Sequence, residues 1–139
     1  MITACGALFY AQDTKRYLYL LRHGARYSST WGLVGGSVER NETVIVALRR
    51  EISEELGSLP IIKKYIPIET FTSADSQFRF ETFVCIVDHE FIPHLNHEHC
   101  GFAWLDNNNG KSLKLHPGLW QTLNFNVVQE KLQTINTIF

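Results

Sequence analysis

The sequence predicts a single mixed α/β domain, and three observations carry that prediction. β-rich runs stand on both sides of one amphipathic stretch, Glu42 to Leu56, and no repeat, low-complexity tract or linker interrupts the chain. The 139 residues, 45% hydrophobic and 12% aromatic, suit one core of ordinary size. One domain over residues 1–139 is therefore expected.

The elements follow in order. "TACGALFY" and "RYLYLLR", separated by the polar turn "AQDTK", read as two strands able to pair. "HGARYSSTWGLVGGSVERNE" is rich in Gly, Ser and Arg and reads mainly as a loop. A helix follows, because Ile45, Leu48, Ile52 and Leu56 recur at spacings of three and four, with Asn41 as the expected N-cap and Gly57 as the stop. "PIIKKYIPIETFT", "FRFETFVCIVD" and "GFAWL" read as further strands. Pro60 and Pro67 place the first of these at a sheet edge or break it. "NNNGKSLKLHPG" reads as a loop, and "LWQTLNFNVVQEKLQTI" as one closing helix with Pro117 in its first turn.

Composition narrows the function. The formal net charge is -1, so no overall field draws the chain to nucleic acid or anionic lipid, and "KKY" and "KSLK" are too short to make an extended nucleic-acid surface. Cys5, Cys85 and Cys100 are odd in number and form no CxxC, which argues against a disulfide framework and a thiolate zinc site. With neither a leader-like start nor a membrane-length apolar run, a cytoplasmic protein is the expectation.

The most informative stretch is "GGSVERNETVIVALRREISEELG", Gly35 to Gly57, with five carboxylates and three arginines. On a helix Glu51 neighbours both Glu54 and Glu55, so three carboxylates converge and repel. Oxygen-rich clusters suit Mg²⁺ or Mn²⁺, and Mg²⁺ is commonly shared between carboxylates and substrate phosphates. Gly35 and Gly36 let backbone approach a ligand closely, so a carbonyl there could add another oxygen. A solvated helix face balanced by Arg40, Arg49 and Arg50 is the simpler alternative.

Spacing decides against that alternative. From Gly36 the chain runs five residues to Glu42, seven to Arg50-Glu51-Ile52, one to Glu54-Glu55, and one to Gly57. This resembles the Nudix box, G-x5-E-x7-R-E-U-x-E-E-x-G-U with U bulky and apolar, here spanning residues 36–58. Eight of the nine specified positions match, and Ser58 departs from the last. Val34 and Asn41 stand where proline and glycine are frequent, which bears on loop conformation more than on chemistry.

The resemblance to the Nudix hydrolase family (MutT-like pyrophosphohydrolases) implies an α/β/α sandwich with a mixed β-sheet. It also implies divalent-metal-dependent hydrolysis of a nucleoside diphosphate linked to another moiety: a nucleoside triphosphate, a dinucleoside polyphosphate, ADP-ribose or a nucleotide sugar. By similarity, Glu51, Glu54 and Glu55, with a carbonyl of Gly35 or Gly36, would hold Mg²⁺ or Mn²⁺. Arg50 would orient the carboxylates, and Glu42 would brace the motif. The general base would be Glu98, in the loop before "FAWL", or Glu51. Removal of pyrophosphate from an RNA 5′ end, or nucleotide binding without catalysis, remain alternatives. The sequence does not give the oligomeric state; a homodimer is compatible with the resemblance, since family members are often dimers.

Trp31, Tyr27, Phe71, Phe78 and Phe80 are candidates to stack on a base. Trp104 and Trp120 read as structural. His94, His97, His99 and Cys100 lie close in sequence but lack HExxH spacing, so they read as a polar loop in which His99 could touch substrate.

Overall fold

The computed structural model describes residues 1–24 and 26–139. Its elements are β1 (Ile2–Ala11), β2 (Arg16–Arg22), β3 (Trp31–Gly32), β4 (Val34–Ser37), α1 (Val44–Leu56), β5 (Lys64–Thr72), β6 (Phe78–Val87), β7 (His99–Leu105), α2 (Asn107–Lys111), α3 (Pro117–Leu123) and α4 (Asn126–Ile138).

The sheet is mixed, in the order β3-β2-β1-β6-β5, with β4 also pairing β1 and β7 also pairing β2. β1 runs parallel to β6 along its whole length, whereas it meets β2 only at Tyr10–Tyr17 and Ala11–Arg16. The first two strands thus separate beyond their turn. β4 fills the opening on the β1 side, and β7 and β3 pair with β2.

Alternation along the strands gives each face its own core. Cys5, Ala7, Phe9 and Ala11 of β1, with Phe83, Cys85 and Val87 of β6, meet Ala47, Leu48, Ile52 and Leu56 of α1. Leu8 and Tyr10, with Val84 and Ile86, meet Leu119 and Leu123 of α3 and Val128, Leu132 and Ile135 of α4. The result is the expected α/β/α sandwich. No helix among the described residues is long and apolar enough to cross a membrane.

Four local expectations change. α1 is capped by Thr43, whose hydroxyl accepts from the Val46 amide at 3.2 Å, while Asn41 has a left-handed φ of 72° in the preceding turn. Gly57 stops the helix as expected, with φ 78° and its amide on the Ser53 carbonyl. The glycine-rich loop contains β3 and β4, because β2 and β1 respectively offer them partner edges. The closing helix is two helices separated at Asn124–Phe125, and the preceding loop contains α2, capped by Asp106.

Pro67 is at the edge, as expected. Among the described residues β5 pairs only with β6, and the register slips between Pro67 and Glu69, leaving Ile68 as an extra residue. Trp104 is buried and donates from Nε1 to the Phe91 carbonyl at 3.0 Å. Trp120 is 56% exposed, so its expected structural role fails: it faces out from α3.

Candidate active site

The boxed segment folds around one guanidinium. Arg50 Nε and Nη2 donate to the two Glu42 oxygens at 2.8 and 2.9 Å, and Nη1 donates to Glu51 at 2.9 Å and to Glu54 at 3.4 Å. Nη2 also reaches the Ser37 carbonyl at 3.0 Å, tying the helix to the end of β4. Glu42 accepts from the Glu39 amide at 2.8 Å. Paired this way, its carboxyl is held below the usual carboxylate range, first by Arg50.

The carboxylates of α1 occupy different environments. Glu54 is exposed, Glu51 is partly covered, and Glu55 is 2% exposed. Glu55 accepts from the Gly35 amide at 2.9 Å. Burial, then the charge of Glu98, pushes its carboxyl up to about 9. His99 Nδ1 lies 3.7 Å away, and burial pushes that imidazole down to about 4. Burial thus disfavours the charged form of each, and among the described residues neither His99 ring nitrogen has a hydrogen-bond partner.

Glycine is needed at both positions of the pair for different reasons. A Cβ on Gly35 would lie 2.0 Å from the Cys5 carbonyl oxygen, against the backbone of β1. A Cβ on Gly36 would lie 2.4 Å from Glu51 Oε1. Glu51 thus lies against β4 where only a glycine leaves room. In an antiparallel pair the N–H and C=O of one residue point to the same side, so Gly35, whose N–H meets Glu55, aims its carbonyl away from β1 as well.

These groups border a cleft of about 550 Å³. Gly35, Gly36, Glu55 and Glu98 line one part, Arg22, Arg26, Tyr27 and His116 a second, and Phe71, Phe78, Phe80 and Glu69 a third. Glu98 immediately precedes β7. Asn96 Nδ2 donates to its carboxylate at 3.3 Å and to the Glu54 carbonyl at 3.2 Å, linking the loop to the end of α1. Tyr27 packs edge-on against His116, with ring centroids 4.4 Å apart.

The sequence candidates divide accordingly. Gly35, Gly36, Glu55, Glu98, Tyr27 and Phe78 border the cleft. Trp31 does not; it packs against the core beneath α3 and α4. His99 does not reach the open cleft either, because it is buried beside Glu55. His94, His97 and Cys100 are exposed and form no centre with it. Arg22, Glu69 and Thr122 were not singled out from sequence, although all three line the cleft.

Among the described residues, no three His, Cys, Asp or Glu side chains already close on one point as a metal group. The reason is Arg50, toward which Glu51 and Glu54 are turned. The donor chemistry nevertheless fits a hard cation. It offers carboxylates and a backbone carbonyl, and the charges of Glu98 and Glu51 both bear on the buried Glu55 carboxyl.

Comparison with known proteins agrees with this geometry. A profile described as NUDIX domain matches residues 2–124. Over 114 residues the chain is 32% identical to a Mycobacterium tuberculosis protein named, as a provisional assignment, 8-oxo-dGTP diphosphatase 3; the match covers 75% of this chain and 52% of that protein. It is 33% identical over 90 residues to the nucleoside triphosphatase NudI of Escherichia coli, covering 57% of this chain and 63% of the relative. The chain thus spans about half to two thirds of these relatives. In structure it resembles the Nudix hydrolase RenU of M. smegmatis, with a TM-score of 0.78, 21% identity and coverage of 99% of this chain and 87% of the other. A profile match over most of the chain, an α/β/α sandwich and a box folded around Arg50 together lead to one conclusion: this chain belongs to the Nudix hydrolase family.

Proposed function

We propose that this protein hydrolyses a diphosphate bond in a small nucleotide with the help of Mg²⁺ or Mn²⁺. The observation that carries the proposal is the placement of Glu55 and Gly35 at the wall of a cleft, directly beside the Arg50-centred carboxylates. Glu51, Glu54, Glu55 and the Gly35 carbonyl would hold the cation, with Gly36 leaving room for Glu51. Bound there, a divalent ion neutralises phosphate charge and lowers the pKa of water.

The chain's own residues do the rest. Arg50 fixes the carboxylates against one another, and Arg22 and Arg26 bring positive charge to the cleft for anionic substrate oxygens. Glu98 is the proposed general base: it borders the cleft from the loop immediately before β7, and Asn96 steadies it. The phosphorylated substrates in the names of the two sequence relatives support a nucleotide.

The test is a panel of nucleoside triphosphates, dinucleoside polyphosphates, ADP-ribose and nucleotide sugars assayed with Mg²⁺ and Mn²⁺. Release of a nucleoside monophosphate from at least one of them, abolished by chelation, is expected. Tight binding without turnover across the panel would instead identify a nucleotide-binding domain.

A further inference from the structure

The third part of the cleft is built by strand register. On β1, Gly6 stands opposite Gly35 of β4 on one side and Thr82 of β6 on the other, and Thr82 stands opposite Glu69 of β5. One row of the sheet thus runs Gly35, Gly6, Thr82, Glu69. Three strand spacings separate its ends, about 14 Å, a span suited to a nucleoside and its first phosphates. The next row carries Ala4, Phe80 and Phe71. Its floor is low because Gly6 has no side chain; a Cβ there would already be 3.0 Å from the Phe80 ring.

The extra residue in β5 turns Glu69 and Phe71 into this groove. Ile66 faces Val84 and the α3–α4 core, so strict alternation would send Glu69 and Phe71 to the opposite face. With Ile68 inserted, Glu69 pairs with Thr82 and Phe71 with Phe80. Glu69 Oε1 then accepts from the hydroxyl of buried Thr122 on α3. One oxygen is fixed, while among the described residues the other has no partner and can accept from a ligand. Phe71, Phe78 and Phe80 form a continuous aromatic wall beside it, with centroid separations of 6.4 Å.

We propose that Glu69, held by Thr122 beside this aromatic wall, is a base-reading residue that selects guanine nucleotides. A carboxylate accepts hydrogen bonds and donates none. Among the common bases, only guanine offers two adjacent donors on its Watson–Crick edge, N1–H and the 2-amino group. Adenine and cytosine place a ring-nitrogen acceptor beside their amine, and uracil flanks its N–H with carbonyls, so each sets a lone pair against a Glu69 oxygen. The aromatic wall supplies stacking to any base and leaves discrimination to Glu69.

This inference rests on the nucleotide-hydrolase reading, so its test measures binding and turnover separately. Dissociation constants for GMP, IMP and AMP, and kcat/KM for GTP, ITP and ATP, are measured on the parent, Glu69→Gln and Thr122→Ala. The parent should favour guanine over adenine by about 10- to 100-fold, the size of hydrogen bonds to a charged acceptor. Inosine, which lacks the 2-amino group, should fall between them. Glu69→Gln should bring the guanine-to-adenine ratio close to one, and Thr122→Ala should reduce the ratio less. Guanine-selective binding without turnover would uphold the base site and remove the hydrolase reading. Equal affinity for GMP and AMP, or a guanine preference unchanged in Glu69→Gln, would overturn the base site whatever the activity.

Discussion

Gly36→Ala should disable the enzyme without unfolding it. The new Cβ would lie 2.4 Å from Glu51 Oε1 and 2.5 Å from its carboxyl carbon. Ordinary contact needs about 3.5 Å, so the carboxylate must retreat by about 1 Å. It can, because it terminates a flexible side chain, but its 2.9 Å bond from Arg50 is stretched. A partly exposed ion pair contributes about 0–1 kcal/mol, and alanine in place of glycine returns about 0.4–1 kcal/mol by restricting the unfolded chain. Gly36 has no left-handed φ to oppose the change. Stability in urea should therefore stay within about 1 kcal/mol of the parent. Displacement by about 1 Å at a reacting centre can cost about 100-fold, and kcat/KM should fall by that order. Gly35→Ala is the contrast, since its Cβ would meet the Cys5 carbonyl at 2.0 Å, where rigid backbone cannot rotate away. It should lose about 1–3 kcal/mol or more. Full activity in a folded Gly36→Ala protein would refute a role for the position of Glu51, and unfolding of that variant would refute the reasoning about its mobility.

Glu55→Gln should keep its melting temperature or raise it in metal-free buffer, because Gln still accepts from Gly35 and removes a buried ionisable group; most turnover should disappear, measured at limiting and saturating Mg²⁺. Glu98→Gln should lower kcat by about 100- to 10,000-fold with little change in metal affinity, whereas Glu51→Gln should damage both; near-normal kcat in Glu98→Gln would return the role of base to Glu51. In the native protein a thiol-specific reagent should titrate Cys100 alone, because it is exposed, while Cys5 is buried with its thiol pushed up to about 11 and Cys85 is buried with its thiol also raised. All three should react after denaturation, and rapid native labelling of Cys5 would contradict the packing of β1 against α1.

Sequence revealed what depends on local pattern. The helical period of Leu48, Ile52 and Leu56 and the β-rich runs of β1, β2 and β6 survive folding because each is reinforced by burial. The spacing of Arg50 to its acidic partners appears directly as hydrogen bonds. What was missed depends on distant partners. Glycines disfavour strands in isolation, and β4 forms because β1 pairs with it. The break before α4 has a local sign, since the buried positions step four residues from Leu119 to Leu123 but five to Val128. The burial of His99 beside Glu55 joins residues far apart in sequence, and no spacing reveals it. Glu69 gave less warning: Pro67 hints at an irregular edge, but not at which way the next carboxylate turns.

That last case bears on how relatives should be compared. Around Arg50, side-chain identity and helical spacing suffice to match one protein with another. Along β5, matching letters can mislead. Without the extra residue, Ile68 and Thr70 would stand over the groove in place of Glu69 and Phe71, an aliphatic and hydroxyl surface instead of an acidic and aromatic one. An identical run of residues could thus present two different walls, and an alignment that ignores strand phase would score them as equal. Because β5 has one neighbour in the sheet among the described residues, such a shift need disturb no second strand pairing there. Transfer of substrate preference within the family should therefore follow superposed backbones at this edge, and the position of the bulge should be compared before the residues beside it.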